Sequence, residues 1–314
     1  MDAVIIGVDV AGKKLDVAIR PTGECFVVER HAAGLDGLVA RLAALNVAVI
    51  GLEATGGLET VVAASLSAAG LPVVIVNPAQ VRAFANALGK RAKTDVIDAR
   101  VIAHFIEATK PAVRPLPDEA TRQLGDLVGR RSQIIAMIGA EQQRRKRSMN
   151  KRLLASIERL LKALQKELSD IDGQIRDAIR QSPVWREKDA LLESVPGVGP
   201  AISARLLADM PELGKLDRRE VASLAGLAPW TRESGQWKGK SFIGGGRADV
   251  RSALFMGAMV AMQHNRMLKA FYSRLVAAGK EKMKAIVAVA RKLLTILNAI
   301  LRDRKPWREE KTNA

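Results

Sequence analysis

Short β-branched runs alternate with helix-length segments through the first ~110 residues, and that order leaves few folds open. AVIIGVDV, LDVAIR and CFVVER read as three short strands, separated by turn signals at Ala11–Gly12–Lys13 and Pro21–Thr22–Gly23. A helix (Leu35–Leu45), a strand (Val47–Glu53), a helix (Glu59–Ala69), a strand (Val73–Val76) and further helices follow. The order βββαβαβα predicts an antiparallel meander that continues into parallel crossovers, an α/β domain ahead of an all-α remainder.

Acids punctuate this pattern. Asp9 ends one apolar run and Glu53 another, while Asp95 and Asp98 stand three residues apart at a predicted helix start, so both project from one face. A solvated strand end explains any one of them. Together, in small-residue and Gly-rich settings, they make the carboxylate set that a hard cation such as Mg²⁺ requires, and phosphoryl transfer is the chemistry expected there. The strand order, with an Asp in the first strand and a Glu after the fourth, resembles the RNase H-like fold, nearest to the RuvC-type resolvases. That resemblance covers about a third of the chain and implies metal-dependent chemistry on nucleic acid.

Charge points the same way. The chain of 314 residues carries a net charge of +17. Residues 1–117 hold 12 Lys+Arg against 11 Asp+Glu, whereas residues 118–314 hold 38 against 22. A near-neutral acidic-site domain is thus joined to a basic remainder suited to a polyanion. The single Cys25 excludes an internal disulfide framework and fits a reducing, cytoplasmic setting, and one Cys with three His leaves little for zinc. No apolar run reaches the ~18 residues of a membrane span, so no membrane partner is expected.

PAVRPLP (111–117) reads as a linker, which gives expected boundaries of 1–117 for the catalytic domain, 118–192 for a helical, coiled-coil spacer and 193–314 for a mainly helical C-terminal domain. Within the spacer, Ile157, Leu161, Leu164, Leu168, Ile171, Ile175 and Ala178 step by 4 and 3 in a heptad seam, which either packs on its own domain or joins protomers. Arg144, Arg145, Lys146 and Arg147 form a basic patch suited to phosphates or to a solvated face. SVPGVGP (194–200) looks like the hairpin of a helix-hairpin-helix element, in which Gly197 and Gly199 let the backbone approach a phosphate. A Gly-rich loop then carries Arg232, Lys238, Lys240, Arg247 and Arg251, with Ser234 and Ser241 as hydroxyls between which residue chemistry alone does not choose.

The motifs GVDVAGKKLDVAI, LEATGG, VNPAQVRAFA, KTDVIDARVIA, SVPGVGP, LAGLAPWTRESG and GGRADVRSALFMGAMVA, in this order, resemble the DEDD transposases of the Piv-invertase-related insertion-sequence class, the IS110 type guided by a bridge RNA. The resemblance runs nearly end to end. It implies a Mg²⁺-binding tetrad at Asp9, Glu53, Asp95 and Asp98, and a nucleophilic serine in the TRESG segment, at Ser234 rather than Ser241. It further implies donor and target DNA, a guide RNA, and a composite site shared between protomers of a homodimer or homotetramer, in a bacterial, nucleoid-associated setting. Two other readings compete: a RuvC-like nuclease that uses water as nucleophile, and a non-enzymatic nucleic-acid binder. The intact tetrad argues against the second, because clustered carboxylates without a cation repel one another.

Overall fold

A computed structural model describes residues 3–90, 95–113, 116, 118–231, 233–234, 237–239 and 241–308, with the backbone alone described at 95, 96, 233, 237 and 238. The chain divides into two compact units, Met1–Leu116 and Pro117–Ala314.

The first unit is a five-stranded sheet between two helical layers. Strands β1 (Val4–Val10), β2 (Lys14–Arg20) and β3 (Cys25–Glu29) form the expected meander; β4 (Val47–Glu53) and β5 (Val73–Val76) add to the other side of β1, in the order β3-β2-β1-β4-β5. β1 pairs antiparallel with β2 and parallel with β4. Period-2 alternation sorts the side chains. Ile6, Val8, Val10, Leu15, Val17, Ile19, Ile50 and Leu52 bury one face under α1 (Ala32–Ala43) and α2 (Leu58–Ala68). The opposite face packs under α3 (Pro78–Ala87) and α4 (Asp95–Thr109), through Val81, Ala85, Val101, Ile102, Phe105 and Ile106. α1 starts three residues before the predicted Leu35, because the His31 ring accepts a hydrogen bond from Gly34 N–H and caps the helix early.

α4 sits directly on the sheet backbone. A Cβ at Gly7 would overlap the backbone O of Ala99 and N of Ala103, so only glycine lets α4 lie this close. Gly7→Ala should destabilise the protein by about 1–3 kcal/mol, because the clash is with backbone rather than a side-chain tip. A urea midpoint unchanged from wild type would show that α4 does not sit there.

The second unit is helical. The expected helical stretch after the linker is three helices: α5 (Glu119–Arg147), α6 (Lys151–Gln181) and α7 (Pro183–Glu193). The breaks have local causes. Asn150 accepts from Arg152 N–H and Leu153 N–H, and Ser182 caps a helix that opens on Pro183. Asp118 caps α5, and hydrogen bonding to Thr121 holds its carboxyl below the usual range. The heptad seam packs within the chain: Ile171 and Ile175 share a core with Leu124, Val128 and Ile134 of α5. The same core takes in α8 (Pro200–Asp209), α9 (Arg218–Leu224), α10 (Ala248–His264), α11 (Arg266–Ala277) and α12 (Lys282–Asp303). No helix among the described residues is long and apolar enough to cross a membrane.

Candidate functional site

The strand register brings the acids together. Val8 of β1 pairs with Leu52 of β4, so the next residues, Asp9 and Glu53, stand side by side where the two parallel strands end. Gly7 and Gly51 face α4, and alternation therefore turns Asp9 and Glu53, two residues on, to that same face. The direction of α4 completes the arrangement. Its Glu107 pairs with Arg20 at 2.6 Å, level with Ile5, while Ala99 and Ala103 cover Gly7. α4 thus runs opposite to β1, and its first turn, with Asp95 and Asp98, lies at the Asp9 end.

Glu53 and Asp98 line one cleft of about 370 Å³ with Pro78, Ala79, Arg82 and Val101. Asp9, Glu53 and Asp98 are each half-buried. The side chain of Asp95 lies outside the described residues. Among those that are described, no three acidic, His or Cys side chains enclose a point as a ready cage. The donor set itself suits a hard divalent cation: it is all carboxylate oxygen, held on two strand ends and one helix.

The LEATGG motif acts here as scaffolding. Gly56 and Gly57 take positive φ (63° and 99°), and the turn they make lets the Glu59 carboxylate accept from Thr55 N–H and Gly57 N–H, both at 2.9 Å. Thr55 Oγ1 donates to the Glu53 carbonyl at 3.0 Å, which ties that loop to the end of β4. Two residues join the site without having been picked out by the motifs. Arg82 brings a cation to the Glu53–Asp98 cleft. Asp16 of β2 pairs with Asp9 across the antiparallel register and shares its face, so Asp16, Asp9 and Glu53 form a row over three adjacent strands. The register that places Asp16 follows from the length of the Ala11–Lys13 turn, a signal present in the sequence.

In the second unit the Gly-rich segment contains a two-stranded hairpin, β6 (Glu233–Ser234) and β7 (Trp237–Lys238), rather than a plain loop. Trp230 and Phe242 close its base, exchanging backbone hydrogen bonds of 2.9 and 3.0 Å with their rings 6.0 Å apart. Ser234 is exposed and pairs with Trp237, while Ser241 is exposed beside Phe242. Arg232 and Lys240 lie outside the described residues, as does the side chain of Lys238.

The other expected phosphate contacts divide. Arg144, Arg145, Lys146 and Arg147 are exposed on the last turn of α5, where the helix dipole favours cations; Arg144 pairs with Glu141. Arg247 instead gives a two-bond fork to Glu212, 2.7 Å each, and Arg251 donates to the Gly245 carbonyl at 2.7 Å. Both therefore hold the Gly244–Gly246 turn in place. Gly246 (φ 58°) abuts the backbone of Gly226 and Leu224, which explains its lack of a side chain by packing. Gly197 (φ 107°) lies against Ala261 of α10, again a packing demand. Gly199 has open space above it at the uncapped start of α8. A larger cavity of about 830 Å³ between α5, α6, α8 and α10 is lined by Arg131 and Asp172, paired at 2.6 Å, and by Arg205, whose partner Asp209 lies 2.7 Å away outside the lining.

Comparison with known proteins adds a family to this geometry. Residues 6–153 match the transposase model DEDD_Tnp_IS110, and residues 189–273 match the model of the transposase IS116/IS110/IS902 family. The pilin gene-inverting protein of Moraxella bovis is 30% identical over 240 residues, covering 75% of this chain and 74% of that protein. The 42 kDa protein of insertion element IS900 from Mycobacterium paratuberculosis is 32% identical over 168 residues, 52% of this chain and 40% of its own. The 44.8 kDa protein of insertion element IS116 from Streptomyces clavuligerus is 30% identical over 157 residues, 49% and 38% respectively.

Proposed function

The chain belongs to the IS110 family of transposases, and on that footing we propose that it cuts and rejoins DNA through a phosphoserine link at Ser234, with Mg²⁺ held by Asp9, Glu53, Asp95 and Asp98. The observation that carries this reading is the meeting of strand ends and helix start: Glu53 and Asp98 share one cleft, with Asp9 on the neighbouring strand. A RuvC-like descent of the first unit is supported by its strand order, with three antiparallel strands leading into two parallel ones.

When bound, the cation supplies Lewis-acid stabilisation of a phosphate under attack. The chain supplies the rest. Ser234 Oγ forms a bond to the scissile phosphorus, the P–O bond to the departing strand breaks, and the serine proton ends on the departing oxygen as a hydroxyl. The reverse step, with a different strand end, restores the serine and rejoins DNA without ATP. Exposure of Ser234 on a hairpin suits a nucleophile that must reach a duplex. The exposed basic turn of α5 and the open α8 N-terminus at Gly199, read as a helix-hairpin-helix, are the surfaces that grip phosphates.

The acids lie in the first unit and Ser234 in the second. A composite site, with the two halves drawn from different protomers of a dimer or tetramer, is the assembly we favour. Sequence choice is delegated to a guide RNA, in keeping with the Gly, Ser and basic character of the exposed segments, which offer no base-reading code. The action is cytoplasmic, on the bacterial chromosome.

The test is covalent trapping. Wild-type protein with guide RNA, labelled DNA and Mg²⁺ should yield an adduct that survives denaturing electrophoresis and disappears with chelator. Cleavage with free ends and no adduct would instead establish the water-using nuclease.

A further inference from the structure

The row of strand-borne acids is longer by one than the tetrad. We propose that Asp16 belongs to the divalent-cation site as a positioning residue, its carboxylate accepting hydrogen bonds from water in the cation's hydration shell beside Asp9. This rests on the reading that Asp9 and Glu53 take a cation, and goes beyond it by adding a group from β2.

Three observations converge on Asp16. It is paired with Asp9 in the antiparallel register, so the two carboxylates leave the sheet side by side. Their face is the α4 face, since Gly7 and its partner Ala18 lie under α4 and Arg20 reaches Glu107. Finally, Asp16 is only 2% exposed; both its oxygens are buried, and Oδ1 has no donor at all. Glu59, the other buried carboxylate among the described residues of this unit, shows what the fold does when an acid is structural: two backbone N–H groups meet one oxygen. Asp16 receives nothing of that kind. Lys14 Nζ lies 3.1 Å from its Oδ2, but from a side chain 44% exposed, which can swing out to water.

A buried carboxylate with one oxygen unpartnered and the other met by a single half-exposed lysine is unfavourable unless a further cation or its water arrives. Adjacent strands are ~4.8 Å apart, so Asp16 stands one strand further from Glu53 than Asp9 does. That spacing favours contact through water over direct ligation, and Mg²⁺ usually keeps several waters.

The experiment uses the full chain without nucleic acid, Mn²⁺ as the probe, and two readouts: calorimetric Mn²⁺ affinity, and melting temperature in chelator and in Mn²⁺. Asp16→Asn should bind Mn²⁺ about 10–100-fold more weakly than wild type. Its melting temperature in chelator should equal or exceed that of wild type, because a neutral amide is less unfavourable to bury. Lys14→Met should show a larger Mn²⁺-induced rise in melting temperature than wild type, and keeps the question answerable should Asp16→Asn not fold. If Asp16 only pairs with Lys14, both variants will melt earlier by the same amount with and without Mn²⁺, and Mn²⁺ affinity will be unchanged; that result overturns the proposal. Asp9→Asn separates the two levels. Loss of Mn²⁺ binding there, with Asp16→Asn like wild type, overturns the Asp16 role alone. Wild-type Mn²⁺ affinity in Asp9→Asn overturns the cation reading and the Asp16 role with it.

Discussion

Asp9→Asn and Glu53→Gln should each abolish strand exchange to within about a thousandth of wild type, while leaving affinity for DNA and RNA nearly unchanged. On the proposed mechanism each removes one anionic ligand from the cation site, a cation's contribution to a phosphoryl-transfer barrier is several kcal/mol, and about 4 kcal/mol corresponds to that factor. Binding should persist because the positive charge lies elsewhere: residues 118–314 carry 38 Lys+Arg, against 12 in residues 1–117. Folding should persist as well, because Asp9 and Glu53 stand half-buried at strand ends rather than inside the core. Glu59→Gln makes the contrast. It weakens the two backbone hydrogen bonds that shape the loop after β4, so it should lower the melting temperature first and activity only as a consequence. Recombination assays beside gel-shift and melting measurements separate the cases. Activity within tenfold of wild type in Asp9→Asn would remove Asp9 from the cation site.

The first unit was legible because its signals are local and periodic. Alternation in VIIGVDV and VAVIGLE fixes both the strands and the face on which Asp9 and Glu53 emerge, and the apolar rows of α1 and α2 match the sheet face they cover. Asp16 is not marked by its own segment, because LDVAIR reads, by itself, as a strand with one ordinary acid. Its meaning comes from a cross-strand partner, and pairing is a tertiary fact that only the turn length encodes.

The second unit was harder for the same reason. Gly197 advertises a free backbone, and its segment reads as a phosphate-approaching hairpin. The lack of Cβ at Gly197 and Gly246 also answers packing demands that no local pattern shows, from Ala261, 64 residues from Gly197, and from the turn at Leu224–Gly226. Arg247, conspicuous in a basic loop, is matched to Glu212, which no local pattern announces. The hairpin at 233–238 lacks the β-branched runs that mark strands, and is fixed at its base by the Trp230–Phe242 pair.

That hairpin carries the sharpest remaining expectation. Ser234→Ala should bind DNA and guide RNA within about twofold of wild type, since an exposed hydroxyl contributes at most ~0.5 kcal/mol to such an interface. It should nevertheless give no covalent adduct and no recombinant product, because the hydroxyl proposed to take the phosphate is gone. Ser241→Ala should retain recombination within about twofold by the same surface argument, its position beside Phe242 placing it at the base of the hairpin rather than on the paired strands. Trp230→Ala supplies a third comparison. It removes the ring that closes the hairpin base, and should reduce adduct formation while Ser234 is intact, by loosening the strand that presents the nucleophile. An adduct formed by Ser234→Ala and lost in Ser241→Ala would transfer the nucleophile to the other serine. Adducts from both single variants, lost only in the double, would mean that the hairpin positions no particular hydroxyl.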